Sequence, residues 1–157
     1  MTACRLVPIG RVVQTGEGSL MEIESRYREG LVGLDAFRWI VVYWFAHKAE
    51  RARETPLVLP APYRGAPERL GVFATRSPLR PNPLCMTVVE LVGIDMAAGI
   101  VRPGWIDCDD GTPILDIKPY QPSLDRVEIP EPPAWCAAWP RSVETSGAFD
   151  WSSVFTD

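Results

Sequence analysis

Residues 37–46, FRWIVVYWFA, constrain the fold of this chain more than any other stretch of its 157 residues. The run is almost continuously apolar and rich in β-branched and aromatic side chains, which favour strands. A strand that is apolar in this way is buried on both faces. We therefore predict a central strand in one compact domain, with its aromatic residues Trp39, Tyr43 and Trp44 in the core.

The rest of the chain favours a mainly β protein with minor helix. Sixteen prolines argue against a helical bundle, because proline breaks helix interiors. The spacing of Tyr27, Leu31, Leu34 and Phe37 predicts one short helix, which two glycines weaken. Short apolar runs between turn residues predict strands at 5–13, 21–24, 37–46, 70–75, 84–94, 100–108 and 113–117. These elements indicate an all-β barrel or an α+β fold built on one.

Several classes of protein are excluded or disfavoured. No GxGxxG motif follows the first strand, so a Rossmann-type sheet is not expected. The longest apolar run is too short to span a bilayer, and the N-terminus lacks a signal layout, so we expect a cytoplasmic protein. The four cysteines, at 4, 85, 108 and 136, have no metal-like spacing, and His47 is the single histidine. We expect reduced thiols and no metal.

Charge is distributed unevenly along the chain. The net charge is −4, which does not favour a polyanionic partner. Residues 61–80 nevertheless carry four arginines and one glutamate, a local charge of +3. Residues 126–157 carry two arginines and five acidic residues, a local charge of −3. The proline- and tryptophan-rich segment 126–157 is too aromatic for a disordered tail, and we predict that it packs on the barrel of residues 1–125 or on a partner subunit.

The segment RSPLRPNP, residues 76–83, combines two arginines with three prolines. Proline fixes the backbone, so a loop of this kind loses little entropy when it binds. Arg76 and Arg80 suit a carboxylate or a phosphate, since a guanidinium group donates two parallel hydrogen bonds. Asn82 adds an amide that both donates and accepts. The composition predicts a stiff anion-binding loop.

A second motif, DGTPILDIKPY, spans residues 110–120. Regular strand alternation places Leu115 and Ile117 on one face, and Asp116 and Lys118 on the other together with Ile114. A carboxylate at this position suits ribose hydroxyls or an ammonium group, and Tyr120 suits stacking on a base. The residues alone also fit a solvated turn at 76–83 and a surface ion pair at 116–118.

The two motifs, together with YREGL at 27–31 and GLDAF at 33–37, resemble in the same order those of the TsaA-like (TrmO) family. The resemblance covers about residues 5–125. The family includes a tRNA N6-threonylcarbamoyladenosine methyltransferase. It implies a single-sheet β-barrel with short helices, working as a homodimer with S-adenosylmethionine near the subunit interface. It also implies a tRNA substrate, methylated at N6 of threonylcarbamoyladenosine beside the anticodon.

Carried over by position, the resemblance assigns two groups of residues. The cofactor-binding group is Arg76, Ser77, Arg80, Pro81, Asn82, Leu84 and Asp116. The catalytic group is Asp116, Lys118 and Tyr120. The acceptor nitrogen is carbamoylated and has to lose its proton, and the candidate bases are Asp116, Tyr120 and His47, in that order.

Two residues depart from the family pattern. Cys85 stands where the family usually has glycine, next to the proposed cofactor loop at 76–83, and Trp39 stands where many members have histidine. Two other functions therefore stay open: a methyltransferase of the same fold acting on a small molecule, and a non-catalytic module that binds S-adenosylmethionine.

Overall fold

A computed structural model of the protein describes residues 5–49 and 56–156. In this part of the chain the strands are β1 (Gly10–Thr15), β2 (Gly18–Ile23), β3 (Trp39–Phe45), β4 (Val58–Pro60), β5 (Arg69–Gly71), β6 (Leu84–Asp95), β7 (Ile100–Pro103) and β8 (Pro113–Pro119). Two short α-helices are α1 (Pro122–Asp125) and α2 (Val143–Ser146). Short 3-10 helices lie at Ser25–Leu31, Leu34–Ala36, Val72–Ala74, Ala134–Cys136 and Trp151–Ser153.

Six strands close into an antiparallel barrel in the order β1-β2-β7-β6-β3-β8. The fold is therefore mainly β and built on a single-sheet barrel, as predicted. Its interior holds a continuous core of aliphatic side chains, contributed by every barrel strand. Closure leaves no open edge among these strands, which removes the risk of pairing with another chain.

The predicted central strand is β3, which pairs with β6 along its whole length and with β8 on its other side. Ile40 and Val42 are fully buried in the barrel core. Trp44 packs against the same core, and its indole nitrogen donates a hydrogen bond to the Thr87 hydroxyl over 3.0 Å. Tyr43, half-buried, alternates with these residues and so lies on the outer face of the barrel wall, which corrects its assignment to the core.

Several predicted elements are shorter in the structure. The helix predicted at 25–37 consists of two 3-10 helices, separated at Gly33, whose φ of 81° ends a right-handed helix. The first strand begins only at Gly10, after Pro8, which has no amide to donate. The strand predicted at 70–75 ends at Gly71, where the chain turns into the 3-10 helix Val72–Ala74. The strand predicted at 100–108 ends at Pro103.

The chain divides into two compact units. The first contains residues 1–51 and 82–125, and it includes the barrel. The second contains residues 52–81 and 126–157. It holds the β4–β5 hairpin, which pairs Val58 with Gly71 and Pro60 with Arg69. The extension predicted at 126–157 therefore shares a unit with a segment from the middle of the sequence. Strand β4 follows residues 50–55, which lie outside the described part of the chain.

Candidate functional site

The proline-rich loop begins with a tightly bonded turn. The carbonyl oxygen of Val72 accepts three hydrogen bonds: from the Thr75 amide over 3.2 Å, from the Thr75 hydroxyl over 2.9 Å and from the Arg80 guanidinium over 3.1 Å. The Val72 side chain and Thr75 are both buried. This turn is fixed from both sides, because its buried residues anchor it and a later residue of the same loop closes it.

Arg80 is the residue that closes this turn. One of its terminal nitrogens donates to Val72 and, over 3.3 Å, to the Thr75 carbonyl. Its backbone amide bonds the carbonyl of Pro78 over 3.0 Å. The half-buried guanidinium group carries five N–H donors, so two contacts through one nitrogen leave donors for a ligand. Arg80 is therefore able to shape the loop and to bind an anion.

The other predicted loop residues continue the chain from one unit into the other. Ser77 is half-buried; its amide bonds the Thr75 hydroxyl over 3.3 Å, and its own hydroxyl accepts from the Leu79 amide over 3.2 Å. Arg76 and Pro81 are exposed and, like Ser77 and Arg80, belong to the second unit. Asn82 and Leu84 are exposed and belong to the first unit, where the Leu84 amide bonds the Asn82 carbonyl over 2.7 Å.

The predicted catalytic residues lie on β8, in the first unit. Asp116 and Lys118 form an ion pair, and the other carboxylate oxygen of Asp116 accepts the Ile117 amide over 2.9 Å. The Lys118 ammonium also lies 5.6 Å from the centre of the Tyr43 ring. The hydrogen bond to Asp116 raises the pKa of Lys118. Tyr120 is half-buried and is held at the strand end by a 2.9 Å bond from its amide to the Trp39 carbonyl.

A β-bulge interrupts the alternation of β8. Asp116 pairs with Tyr43 and Ile114 pairs with Trp44, so Leu115 is an extra residue opposite neighbouring positions of β3. Ile114 is fully buried in the core and Ile117 packs against it. The predicted pattern, with Ile114 on the face of Asp116, is therefore wrong, because regular alternation does not continue through a bulge.

Strand β8 borders an apolar cavity of about 380 Å³ in the first unit. Ile117, Leu31 and Ile23 line it together with Asp116 and Pro119. Neither Lys118 nor Tyr120 is among the residues that line it. Asp116 therefore takes part in the ion pair with Lys118 and also borders the apolar cavity.

His47, the third candidate base, lies near the start of β8 instead of near Asp116. Its ring nitrogen Nδ1 is 3.4 Å from the hydroxyl of the buried Thr112. Thr112 also hydrogen bonds the thiol of Cys108. Burial raises the pKa of that thiol from 9.0 to about 12. These three contacting residues include none of the predicted cofactor-binding residues.

The raised pKa of Cys108 predicts low thiol reactivity. The folded protein disfavours the thiolate, so at pH 8 iodoacetamide should alkylate Cys108 at least tenfold more slowly than a free cysteine. The stability that this shift contributes is present below pH 9.0 and is lost as pH rises through about 12. Mass spectrometry of peptides after timed alkylation measures the rate, with the half-buried Cys136 as internal reference. Equal rates at the two cysteines would contradict the assignment.

The two departures from the family pattern lie on opposite faces of the barrel wall. Cys85 pairs directly with Trp44, so both side chains lie on the inner face, and Cys85 contributes to the raised pKa of Cys108. Its neighbours Leu84 and Met86 are exposed on the outer face. Trp39 alternates with Ile40 and so lies on the outer face, half-buried and paired with Glu90 at the other end of β3, which corrects its assignment to the core. The side chain of Cys85 therefore extends away from the face that Leu84 presents.

Among the described residues, Cys85, Cys108 and Cys136 form no disulfide, and Cys4 lies outside the described part. Within residues 5–49 and 56–156, no group of three or more histidine, cysteine or acidic residues has an arrangement that holds a metal ion. The helices of this described part also include none that is long and apolar enough to cross a membrane.

Two residues of the loop region were missed at the level of the sequence. Phe73 is 80% exposed, although its neighbour Val72 is buried, so the turn that Arg80 closes holds an aromatic ring in solvent. Thr75 supplies a hydroxyl that bonds at both ends of the turn. A phenylalanine between apolar residues is normally predicted to lie in the core. Phe73 is exposed here because it lies in the 3-10 helix Val72–Ala74 and not in a strand.

The model of the tRNA-methyltransferase O N-terminal domain matches residues 3–126 of the chain. The chain belongs to this family. The match includes the loop at 76–83 and strand β8, and it ends where the C-terminal extension begins.

Individual relatives agree with the family. The chain is 39% identical over 109 residues to an S-adenosyl-L-methionine-binding protein of Archaeoglobus fulgidus, covering 69% of this chain and 73% of the relative. It is 38% identical over 119 residues to a tRNA (adenine(37)-N6)-methyltransferase of Escherichia coli, covering 74% of this chain but half of the relative's length.

The fold also matches a solved structure. The crystal structure of TrmO from Pseudomonas aeruginosa superposes with a TM-score of 0.63 at 28% identity, covering 83% of this chain and 62% of that chain. The chain therefore spans less than two thirds of that solved protein.

Proposed function

We propose that this protein is an S-adenosylmethionine-dependent methyltransferase that acts on N6 of a tRNA adenosine. The observation that carries the proposal is the family match over residues 3–126, which spans both motifs. Relatives at 37–39% identity are named as S-adenosyl-L-methionine-binding proteins or as tRNA (adenine(37)-N6)-methyltransferases. The loop at 76–83, whose Arg80 closes the turn at Val72, and the Asp116–Lys118 ion pair are consistent with this chemistry.

The cofactor's own reactivity defines what the protein has to supply. The sulfonium centre is a strong electrophile, so alignment of donor and acceptor makes the largest contribution to the rate. We assign cofactor binding to Arg76, Ser77, Arg80, Pro81, Asn82, Leu84 and Asp116. The free donors of Arg80 suit the carboxylate of the cofactor, since charge-assisted hydrogen bonds to arginine are strong and directional.

The acceptor nitrogen has to lose its proton during transfer, and we assign this step to the group of Asp116, Lys118 and Tyr120. Each carboxylate oxygen of Asp116 accepts one hydrogen bond within the protein and can accept another. Lys118, whose ammonium also lies over the Tyr43 ring, pairs with one oxygen of this carboxylate. Asp116 is therefore the first candidate for the acceptor of the proton, ahead of Tyr120 and His47.

The finer features of the proposal concern the acceptor and the assembly. We propose threonylcarbamoyladenosine beside the anticodon as the acceptor, and a cytoplasmic homodimer as the working form. The local charge of +3 at residues 61–80 suits a phosphate backbone, although the net charge is −4. That acidic balance favours a small-molecule acceptor as the second candidate.

The test is incubation of the full chain with isotope-labelled S-adenosylmethionine and tRNA that carries threonylcarbamoyladenosine, followed by mass spectrometry of the nucleosides. We expect label on that nucleoside and none on tRNA that lacks the modification. Cofactor binding without labelled tRNA would replace the tRNA assignment by a small-molecule acceptor. A chain that does not bind S-adenosylmethionine in calorimetry would refute the methyltransferase itself.

A further inference from the structure

Six aromatic rings form a contact network within the second unit. Trp139 is its centre, with edge-to-face contacts to Tyr63, Trp135 and Trp151 at centroid distances of 5.3, 5.4 and 5.6 Å. Tyr63 also stacks on Trp135 at 5.5 Å with an interplanar angle of 10°. The remaining members are Phe149 and Phe155. Tyr63 comes from the middle of the sequence, and the other five rings come from the C-terminal extension.

This network takes the place of an aliphatic core in the second unit. Among the unit's described residues, only Val72, Thr75 and Val154 are buried. Trp135, Trp139 and Trp151 are each half-buried. Aromatic pairs in edge-to-face or offset geometry stabilise beyond the area that they bury. Three of the ring contacts, all made by Tyr63, join the two segments of this unit.

Backbone hydrogen bonds reinforce the same junction. The Arg64 amide bonds the Val154 carbonyl over 2.8 Å, and the Arg64 side chain bonds the Phe155 carbonyl over 3.1 Å. Tyr63 and Phe155 form an isolated antiparallel bridge. The Thr156 hydroxyl bonds the Ala61 carbonyl over 2.5 Å. The end of the extension thus pairs with residues 61–64 as a short additional strand does.

A continuous path leads from this junction to the cofactor loop. The Ala61 amide bonds the Glu68 carbonyl over 2.8 Å, and this bond closes the loop between β4 and β5. The Val72 amide then bonds the Leu57 carbonyl over 2.9 Å at the other end of the hairpin. Val72 is also the residue whose carbonyl receives Thr75 and Arg80. Each step of the path is a hydrogen bond or a ring contact inside one unit.

We propose that residues 126–156 are a positioning element for the cofactor loop, acting through the aromatic network and the β4–β5 hairpin on the turn that Arg80 closes. The proposal rests on the function proposed above, because it assigns the loop to S-adenosylmethionine. The extension lies almost entirely outside the family match, which ends at residue 126. The positioning is therefore supplied by residues that the family motifs do not include.

The test compares Trp139→Ala with Trp105→Ala in the full chain. Trp139 is the centre of the network, whereas Trp105 is 67% exposed and belongs to the barrel unit. We expect Trp139→Ala to weaken S-adenosylmethionine binding in calorimetry about tenfold or more, through loss of three ring contacts. Trp105→Ala should bind as the unaltered chain does. Trp139→Phe, which keeps an aromatic ring, should recover most of the affinity.

Hydrogen exchange separates positioning from general destabilisation. In Trp139→Ala the amides of Thr75 and Ser77 should exchange about tenfold faster, while barrel amides such as that of Val12 stay protected. In turnover measurements the Michaelis constant for the cofactor should rise more than the maximal rate falls. Unchanged affinity and unchanged exchange at Thr75 would overturn the proposal. Equal loss of protection in the loop and the barrel would do so as well.

Two further results keep the positioning role and the methyltransferase distinct. An unaltered chain that fails to bind S-adenosylmethionine refutes the proposed function, whereas binding that is insensitive to Trp139 refutes only the positioning role. If Trp139→Ala does not fold, Phe155→Ala takes its place, because Phe155 lies at the edge of the network and is 51% exposed. A smaller loss of affinity is then expected in Phe155→Ala. An unchanged affinity in this variant would overturn the positioning role.

Discussion

Replacing Arg80 by alanine is expected to weaken S-adenosylmethionine binding about a hundredfold, because a charge-assisted contact and the closed turn are lost together. The carbonyls of Val72 and Thr75 would each lose a donor in a partly buried turn. Arg80→Lys should recover little of the affinity, since an ammonium group lacks the planar geometry that bridges two carbonyls and keeps donors for a ligand. Isothermal titration calorimetry measures both variants directly.

The matched control is Arg69→Ala, which removes an exposed arginine of β5 from the same unit. It should change the affinity for the cofactor less than threefold, a difference below the energy of one ordinary hydrogen bond. If Arg69→Ala and Arg80→Ala weaken binding equally, general positive charge explains the effect and the closed turn does not. If neither variant changes the affinity, Arg80 has no place in cofactor binding.

Replacing Asp116 by asparagine is expected to lower the rate of methyl transfer about a hundredfold to ten-thousandfold, the contribution that a general base makes. The amide has nearly the size of the carboxylate but cannot take up a proton, and its ion pair with Lys118 is lost. The affinity for S-adenosylmethionine should change much less than the rate. Single-turnover labelling of the tRNA, with saturating cofactor, isolates this step.

Glu17→Gln serves as the control for Asp116→Asn, since it neutralises an exposed carboxylate in the turn between β1 and β2. Its rate should equal that of the unaltered chain. A full rate in Asp116→Asn would transfer the role of base to Tyr120 or His47. A parallel fall in rate and cofactor affinity would instead make Asp116 a binding residue, in accordance with its second assignment.

The sequence predicted the barrel and its central strand well, because those features depend on local composition. The run at 37–46 became β3 within two residues at each end, and its β-branched centre, Ile40 to Val42, is buried. The motif residues Asp116 and Lys118 were correctly expected on one face, since a two-residue spacing places side chains together in any regular strand.

The remaining features depend on contacts between distant or irregular parts of the chain. The partners of Arg80 are carbonyls of its own loop, and a charged residue gives no sign of whether it meets a ligand or the backbone. Tyr63 contacts Trp135 and Trp139 across more than seventy positions of sequence, which no local pattern encodes. The division into units follows from such contacts, so the boundary predicted at residue 125 stays a prediction.

The bulge in β8 is not needed for the strand to pack into the barrel core. Without Leu115, Ile114 and Ile117 would still face the core, and Asp116 and Lys118 would still share the outer face. The surplus residue is therefore not required for the core pattern, and bulges instead increase local twist and re-aim neighbouring side chains. Deleting Leu115 should therefore change the direction in which the Asp116 carboxylate points while the barrel core stays in place.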